Sequence, residues 1–455
     1  MNMSLIEGLL IFFAIVAIYA FFAVILHKLG FLKKYNISFW GPALMWRTNK
    51  GKKFLKKVAK KQRFWKAFGS SGIVLCFVMM FLMTAMLIWQ AWFVFGFTPE
   101  QKEALPGPEI ALVLPGINPI LPLEYIGYIV LALIVAMVVH EFSHGILTIA
   151  SKLKVKSLGI LYLIVPIGAF CEPDEEALKK AKTKSRMRVY AAGPTSNFVV
   201  VLLSILLFSF VFMSAVQPAA DGVSIFYVGN GTPAEEIGLS PGMIITDIND
   251  TKVTNVDEFF EVMEKTRSNQ LTRISYVKGE KTFTKEVTFA DKSNYTKNQS
   301  HIGQGYLGVS TSDAHNGFLS VLKNPFIGFP DGFLLFYILP LWGYLQGYNP
   351  IVSPFTDSYI ITGPLSVIPA NVFWIIVNAV YWIFWLNLAV ALFNVLPMVP
   401  LDGGFLFNDA LHTLVRRLKK GISDTQREKI VKNISLILSL LVLLLIIFPW
   451  LIKYI

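Results

Sequence analysis

The sequence predicts a polytopic α-helical membrane protein of about six transmembrane helices, interrupted by one inserted α+β domain. Three observations carry that expectation. The 455 residues are 54% hydrophobic, and the apolar ones gather into runs of about 20 residues, long enough to cross a bilayer as helices. Lys and Arg sit in the loops between runs, as the positive-inside rule requires. Between residues 219 and 310 charged and polar residues return, and strand-like alternation replaces the apolar runs.

The first run, Leu5 to Leu26, lacks a basic flank before it and a small-residue cleavage site after it, so it reads as an uncleaved helix. From Lys28 to Gly69 there are thirteen Lys or Arg and no acid. That loop is expected in the cytoplasm, with the N-terminus outside. Run two, Ser71 to Phe97, returns outward to an acidic loop, Thr98 to Asn118. Run three, Leu121 to Ser151, goes back in, and Lys152, Lys154 and Lys156 follow it. Within the basic 152–188 loop, Leu158 to Ala169 is too short to span; it reads as a strand or hairpin dipping toward the membrane, or as an apolar loop packed on the helices.

Run four, Val189 to Val216, exits to the 219–310 domain. There, Val223 to Val228, Thr272 to Val277 and Thr282 to Phe289 alternate as strands, with a helix-like stretch at Val256 to Thr266. Sequons at Asn230, Asn249, Asn294 and Asn298 are compatible with an exterior face. Phe326 to Tyr344 is apolar but broken by Pro330 and Pro340, and reads as an interfacial or re-entrant element. Run five, Asn371 to Pro397, goes inward; the basic 416–432 segment and run six, Ile434 to Ile452, complete the pattern. The net charge of +12 is thus loop charge, and no nucleic-acid partner is expected. Two cysteines, Cys76 and Cys171, allow neither a disulfide framework nor a CxxC metal knuckle.

The chemistry concentrates in run three. His140-Glu141-Phe142-Ser143-His144 is a zinc-type HExxH. On a helix, positions i and i+4 lie one turn apart, so both imidazoles reach a single ion while the carboxylate handles protons. Two His and a Glu in an apolar span are costly without a metal or a polar partner; the bland alternative is a polar helix-packing patch. Asp402 is the best candidate for a third ligand. It lies at the inner end of run five, at the expected membrane level of the histidines, where Gly403 and Gly404 would let the chain turn after Pro397 and Pro400. Capping of a following helix is its alternative role. Glu172 and Asp174 are weaker competitors, and His27, His301, His315 and His412 are isolated.

The pairing of this HExxH with Asn394-x-x-Pro397-x-x-x-x-Asp402-Gly403, and with Gly193-Pro-Thr-Ser-Asn197 in run four, resembles the site-2 protease family. The matching segments cover about 120–216 and 371–404; runs one, two and six are not matched by motif. The resemblance implies a three-helix catalytic core that holds one Zn2+ ion on His140, His144 and Asp402, with Glu141 as general base. It implies a hydrogen bond from Asn394 to the oxyanion or substrate backbone. Asn197 contacts substrate or packs run four; Gly168 and Gly193 admit a close substrate backbone or close helix packing. The 219–310 domain resembles a circularly permuted PDZ domain through Thr232-Pro-Ala-Glu-Glu-Ile-Gly-Leu-Ser-Pro-Gly242, Ile244-Ile-Thr-Asp-Ile-Asn and Tyr306-Leu-Gly-Val309, although Met243 stands where an acidic residue is common. Such a domain either takes a peptide or protein ligand by strand addition or filters substrates by size.

The expected layout begins with two N-terminal helices and a basic loop (1–118). The HExxH helix and run four follow as the leading half of the catalytic core (119–218), then the PDZ-like domain outside the cytoplasm (219–310) and the interfacial segment (311–370). The Asp402-bearing half of the core (371–404) and a basic loop with the last helix (405–455) complete it. The implied function is hydrolysis of peptide bonds in membrane-spanning protein substrates, in regulated intramembrane proteolysis, with the site near the cytoplasmic side. The competing class is a metal-binding membrane transporter or an inactive scaffold, neither of which needs Glu141 as a base.

Overall fold

The computed structural model describes residues 5–111, 115–163, 165–296, 299–314, 317–347, 349–419 and 421–454. His315 and Asn298 lie outside the described residues. In chain order the main elements are α1 (Leu5–Lys28), β1 (Ile37–Trp40), β2 (Ala43–Thr48), α2 (Lys52–Val58), α3 (Gln62–Phe95), α4 (Ile126–Ala150), β3 (Val155–Leu163), β4 (Val165–Pro173), α5 (Thr183–Leu206), β5 (Val223–Val228), β6 (Ile244–Ile248), α6 (Val256–Glu264), β7 (Leu271–Lys278), β8 (Lys281–Thr288), β9 (Val309–Asp313), α7 (Phe318–Lys323), α8 (Asp331–Gln346), α9 (Ala370–Asn394), α10 (Asp402–Leu418) and α11 (Asp424–Leu451). Among the described residues five helices are long and apolar enough to cross a membrane: Gln62–Phe95, Leu123–Ala150, Thr183–Ala215, Ala370–Asn394 and Asp424–Leu451. The chain is a multi-pass membrane protein. The first apolar run is helical as well, over Leu5–Lys28. Phe81, Trp89 and Trp92 on α3 stay exposed, as side chains do when lipid rather than water is the solvent.

The chain divides into two compact units, residues 1–202 with 382–455, and residues 203–381. The first unit holds a four-stranded antiparallel sheet in the order β1-β2-β3-β4. The expected strand or hairpin at 158–169 is therefore the β3–β4 hairpin, with Leu158 opposite Cys171 and Leu161 opposite Gly168. Its neighbour departs from the expectation. The basic 28–69 segment, which reads only as a loop in the sequence, supplies the β1–β2 hairpin, and β2 pairs with β3 from Leu44↔Tyr162 to Thr48↔Leu158. Lysines mask the pattern, since four of the seven residues of α2 are Lys. The one deep anchor of α2 is Leu55, fully buried with Ile146, Leu147, Leu158 and Cys171. Burying such a side chain contributes roughly 1.5–3 kcal/mol. That cluster seats both the sheet and α2 on α4.

In the second unit the sheet order is β8-β7-β6-β5-β9, and a short strand, Thr251–Lys252, pairs with β6. The β7–β8 hairpin turns at Gly279, whose φ of +60° favours glycine. Helix α6 is capped by Asn255, whose side chain accepts from the Glu258 N–H at 2.9 Å. It buries Phe259 in a core with Ile225, Ile245 and Ile274. The sheet continues three residues past 310, because β9 runs to Asp313. The Pro-broken run forms the helix Asp331–Gln346, which begins just after Pro330 and carries Pro340 inside it.

Candidate active site

Helix α4 is apolar for most of its length and places His140, Glu141 and His144 near its C-terminal end. The Nε2 atoms of His140 and His144 lie 3.0 and 3.1 Å from Asp402 Oδ2. The three donor atoms fall within 4.8 Å of one another. His144 is oriented through its other nitrogen: Nδ1 is 2.7 Å from the Val189 carbonyl. With the proton on Nδ1 donated there, the Nε2 lone pair faces Asp402, the usual arrangement for a metal-binding imidazole.

Asp402 is the first residue of α10, after a loop in which the Val399 N–H donates to Ser439 Oγ at 3.1 Å. The adjoining glycines act differently from the expectation. Gly403 and Gly404 do not turn the chain; both are buried inside α10, where an added Cβ would strike the backbone of Val395 or of Met398. They let the first turn of α10 press onto the loop, which fixes Asp402 in place.

Gly193 has the clearest role of the motif glycines. A Cβ there would fall on the Nε2 atoms of both His140 and His144. Helix α5 thus brings bare backbone against these nitrogens. Asn197, one turn on, is 0% exposed, and neither atom of its amide has a hydrogen-bond partner. His140 Nδ1 is likewise buried without one. Ser196 ties α5 to α4 through a 3.3 Å bond from its hydroxyl to the Val139 carbonyl.

Glu141 points toward the sheet, where its Oε2 accepts the backbone N–H of Cys171 at 2.7 Å. Asn394 donates from Nδ2 to the Val390 carbonyl of its own helix at 3.0 Å, and no hydrogen bond joins it to the histidine–aspartate group among the described residues. Gly168 lies on β4, and a Cβ there would meet Leu161 at an ordinary 3.5 Å.

The competing ligands are engaged elsewhere. Glu172 accepts from Ser157 at 2.5 Å and pairs with Arg47, which together hold its carboxyl low. Asp174 caps a short helix through the Ala177 N–H at 3.1 Å. His301 Nδ1 lies 2.9 Å from the Thr296 hydroxyl, and His27 packs its ring on Phe39. Burial, and then the neighbouring Glu141 charge, push the Cys171 thiol up to about 12, so it stays a neutral packing group.

Three supporting positions lie outside the motifs that the sequence offers. An added Cβ on Gly145 would press on Leu55 and the Cys171 sulfur, and one on Gly72 would strike Thr195. Cys76 Sγ lies 3.8 Å from both the Ala191 carbonyl and the Thr195 hydroxyl, so α3 packs directly on the motif-bearing α5. A signal for Gly145 is present, as a glycine immediately after HExxH; α3 offers no motif, only a stripe of small residues.

The donor set suits zinc. Two imidazole nitrogens and one carboxylate oxygen form a three-ligand catalytic set with a fourth position for water or substrate. Comparison with known proteins agrees. The model of peptidase family M50 matches residues 128–442. An uncharacterized protein of Methanocaldococcus jannaschii is 26% identical over 378 residues, 83% of this chain and 80% of that protein. A Clostridium perfringens protein, provisionally named a zinc metalloprotease, is 24% identical over 318 residues, 64% of this chain and 84% of that protein. Among solved structures, the PDZ domain of an SdrC-like protein from Listeria monocytogenes matches with 21% identity and covers 20% of this chain and 88% of its own. Its TM-score is 0.18.

Proposed function

The chain belongs to peptidase family M50, the site-2 protease family, and from that premise we propose that this membrane metalloprotease cuts membrane-spanning protein substrates within or at the edge of the bilayer. The observation that carries the reading is the convergence of His140 Nε2, His144 Nε2 and Asp402 Oδ2 at the end of an apolar helix. These three residues hold one zinc ion, which when bound supplies Lewis-acid polarisation and activates water.

The remaining work belongs to the chain's own groups. Glu141 takes a proton from the attacking water at its carboxylate and delivers it to the leaving nitrogen. Gly193 keeps the approach to the ligand atoms clear of side chains. Asn394, at the last residue of α9, turns from its helix carbonyl toward the developing oxyanion or the substrate backbone when substrate is present. Asn197 offers an unspent amide beside the histidines for substrate or packing.

A helical span hides its peptide bonds, so the substrate must unwind before water attacks. Strand β4 supports this step: it pairs only with β3 among the described strands, and an extended segment adds to its outer side. The substrates are single-span proteins whose released parts act in the cytoplasm. The Lys- and Arg-rich loops support a cytoplasmic-side site and an external 219–310 domain. In that domain β9 is an edge strand, which supports capture of a peptide by strand addition rather than passive filtering.

Replacing Glu141 by Gln tests the reading. Gln keeps size and hydrogen bonding but does not take the proton. Cleavage of a membrane-spanning reporter should fall by about 10²–10⁴-fold, with zinc content unchanged. Wild-type cleavage by this variant would overturn Glu141 as the base, whereas no cleavage by either protein, with zinc bound, would leave the transporter or scaffold reading in its place.

A further inference from the structure

The hydrogen bond from the Cys171 N–H to Glu141 Oε2, 2.7 Å long, ties the base of the proposed reaction to the strand on which the substrate is proposed to lie. Between Leu158↔Cys171 and Leu161↔Gly168 the β3–β4 register is regular. In an antiparallel pair, alternate residues of an edge strand direct both their N–H and C=O away from the partner strand. Cys171 is such a residue, since its N–H reaches α4 rather than β3, and Ala169 shares its direction. Those are the backbone groups an added strand uses. At Cys171 the donor is already taken by a carboxylate, and a hydrogen bond to a charged acceptor is among the stronger ones available.

Resting on the protease reading above, we propose that Glu141 and the substrate backbone compete for the Cys171 N–H. Without substrate, Glu141 caps the edge of β4 and is held toward the sheet. When an extended segment pairs along β4, its carbonyl oxygen replaces Glu141 Oε2 as the acceptor. The carboxylate is then released to act on water. The base becomes available only when a strand is in register beside it, so a folded helix passing the site does not trigger hydrolysis. Burial favours this exchange, because a backbone N–H in a dry site must always have an acceptor, and the substrate carbonyl provides one as Glu141 leaves.

Two variants that both lack the base separate the proposal from the reading on which it rests. In Glu141→Gln the amide oxygen still accepts from Cys171; in Glu141→Ala nothing does. The zinc-loaded, full-length variants are reconstituted in phosphatidylcholine vesicles with a fluorescent single-span peptide, and binding is measured. Glu141→Ala should bind several-fold to about tenfold more tightly than Glu141→Gln, one hydrogen bond's worth of competition. Hydrogen exchange at the Cys171 amide without peptide should be slow in Glu141→Gln and fast in Glu141→Ala, and peptide should slow it in the latter. Cys171→Pro, which deletes the donor on an edge strand that tolerates it, should erase the difference between the two. Equal binding by Glu141→Ala and Glu141→Gln, or no binding by either, overturns the competition, while loss of cleavage in Glu141→Gln still upholds the protease. Cleavage by Glu141→Gln would instead overturn Glu141 as the base and the competition with it, while leaving a protease.

Discussion

The two larger sheets among the described residues end on different kinds of edge. In the first unit, edge strand β4 meets α4 through a main-chain donor, the Cys171 N–H, which is held by a carboxylate of the HExxH motif. In the second, edge strand β9 meets α6 through a side chain: Asp313 Oδ1 accepts the Val256 N–H at 2.6 Å, at the first turn of the helix. The aspartate stabilises a helix N-terminus that would otherwise carry an unmet donor, and it uses none of the strand's backbone groups to do so. An edge strand is a liability that a protein either covers or puts to use. The β4 edge is held through its backbone to a carboxylate, whereas the β9 edge is held through the side chain of Asp313. The contrast points to chemistry at one and recognition at the other.

The comparison breaks most completely if the proposed metal ligands are removed. Asp402→Ala or His144→Ala should lose zinc at stoichiometric metal and abolish cleavage, while peptide capture by the second unit stays at its wild-type level. Metal analysis alongside a peptide-binding measurement decides it; full zinc occupancy in Asp402→Ala would mean that another residue is the third ligand. A smaller effect is expected from Leu55→Ala, which empties the contact that seats the first sheet on α4. It should cost about 2–5 kcal/mol, seen as earlier thermal loss of cleavage and of zinc. Unchanged thermal behaviour would show that the β4 edge is held without α2. The finest distinction comes from proline on each edge. Ala169→Pro should lower cleavage by roughly tenfold through loss of one outward donor, whereas Thr311→Pro should leave cleavage of a bare span near wild type and weaken peptide capture by the 219–313 domain. Equal effects of the two prolines on cleavage would show that the edges do not divide the work as their contacts suggest.

The features of this architecture that are legible in the sequence are those with a short period or a short motif. Runs of apolar residues give the long helices, because length and hydropathy alone decide whether a helix spans. HExxH brings two imidazoles together because they share one helix face, and the place of Asp402 beside them follows from the membrane level at which run five ends. The β3–β4 hairpin is visible through its Ile, Val, Leu and Tyr content. What stays hidden depends on long-range pairing. Nothing local in Ile37–Trp40 or Ala43–Thr48 announces that these residues complete a sheet with Val155–Leu163. Leu55 looks like one apolar residue in a solvated lysine tract until it is found against Gly145. The glycines after Asp402 mislead for a related reason: sequence suggests flexibility, while the packed structure uses their lack of a side chain to bring two backbones together.

The sheet that carries β4 is assembled from pieces made far apart in time. Strand β2 leaves the ribosome before α2, α3 and α4, and its partner β3 follows all three. The β1–β2 hairpin must therefore wait, half-paired, while two membrane helices insert, and only then does the β3–β4 hairpin arrive to close it. Such pairing is slow, because the chain between the strands must be ordered first. In the interval β2 is an open edge, and it lies in a segment of thirteen Lys or Arg and no acid, a charge that disfavours edge-to-edge pairing between chains.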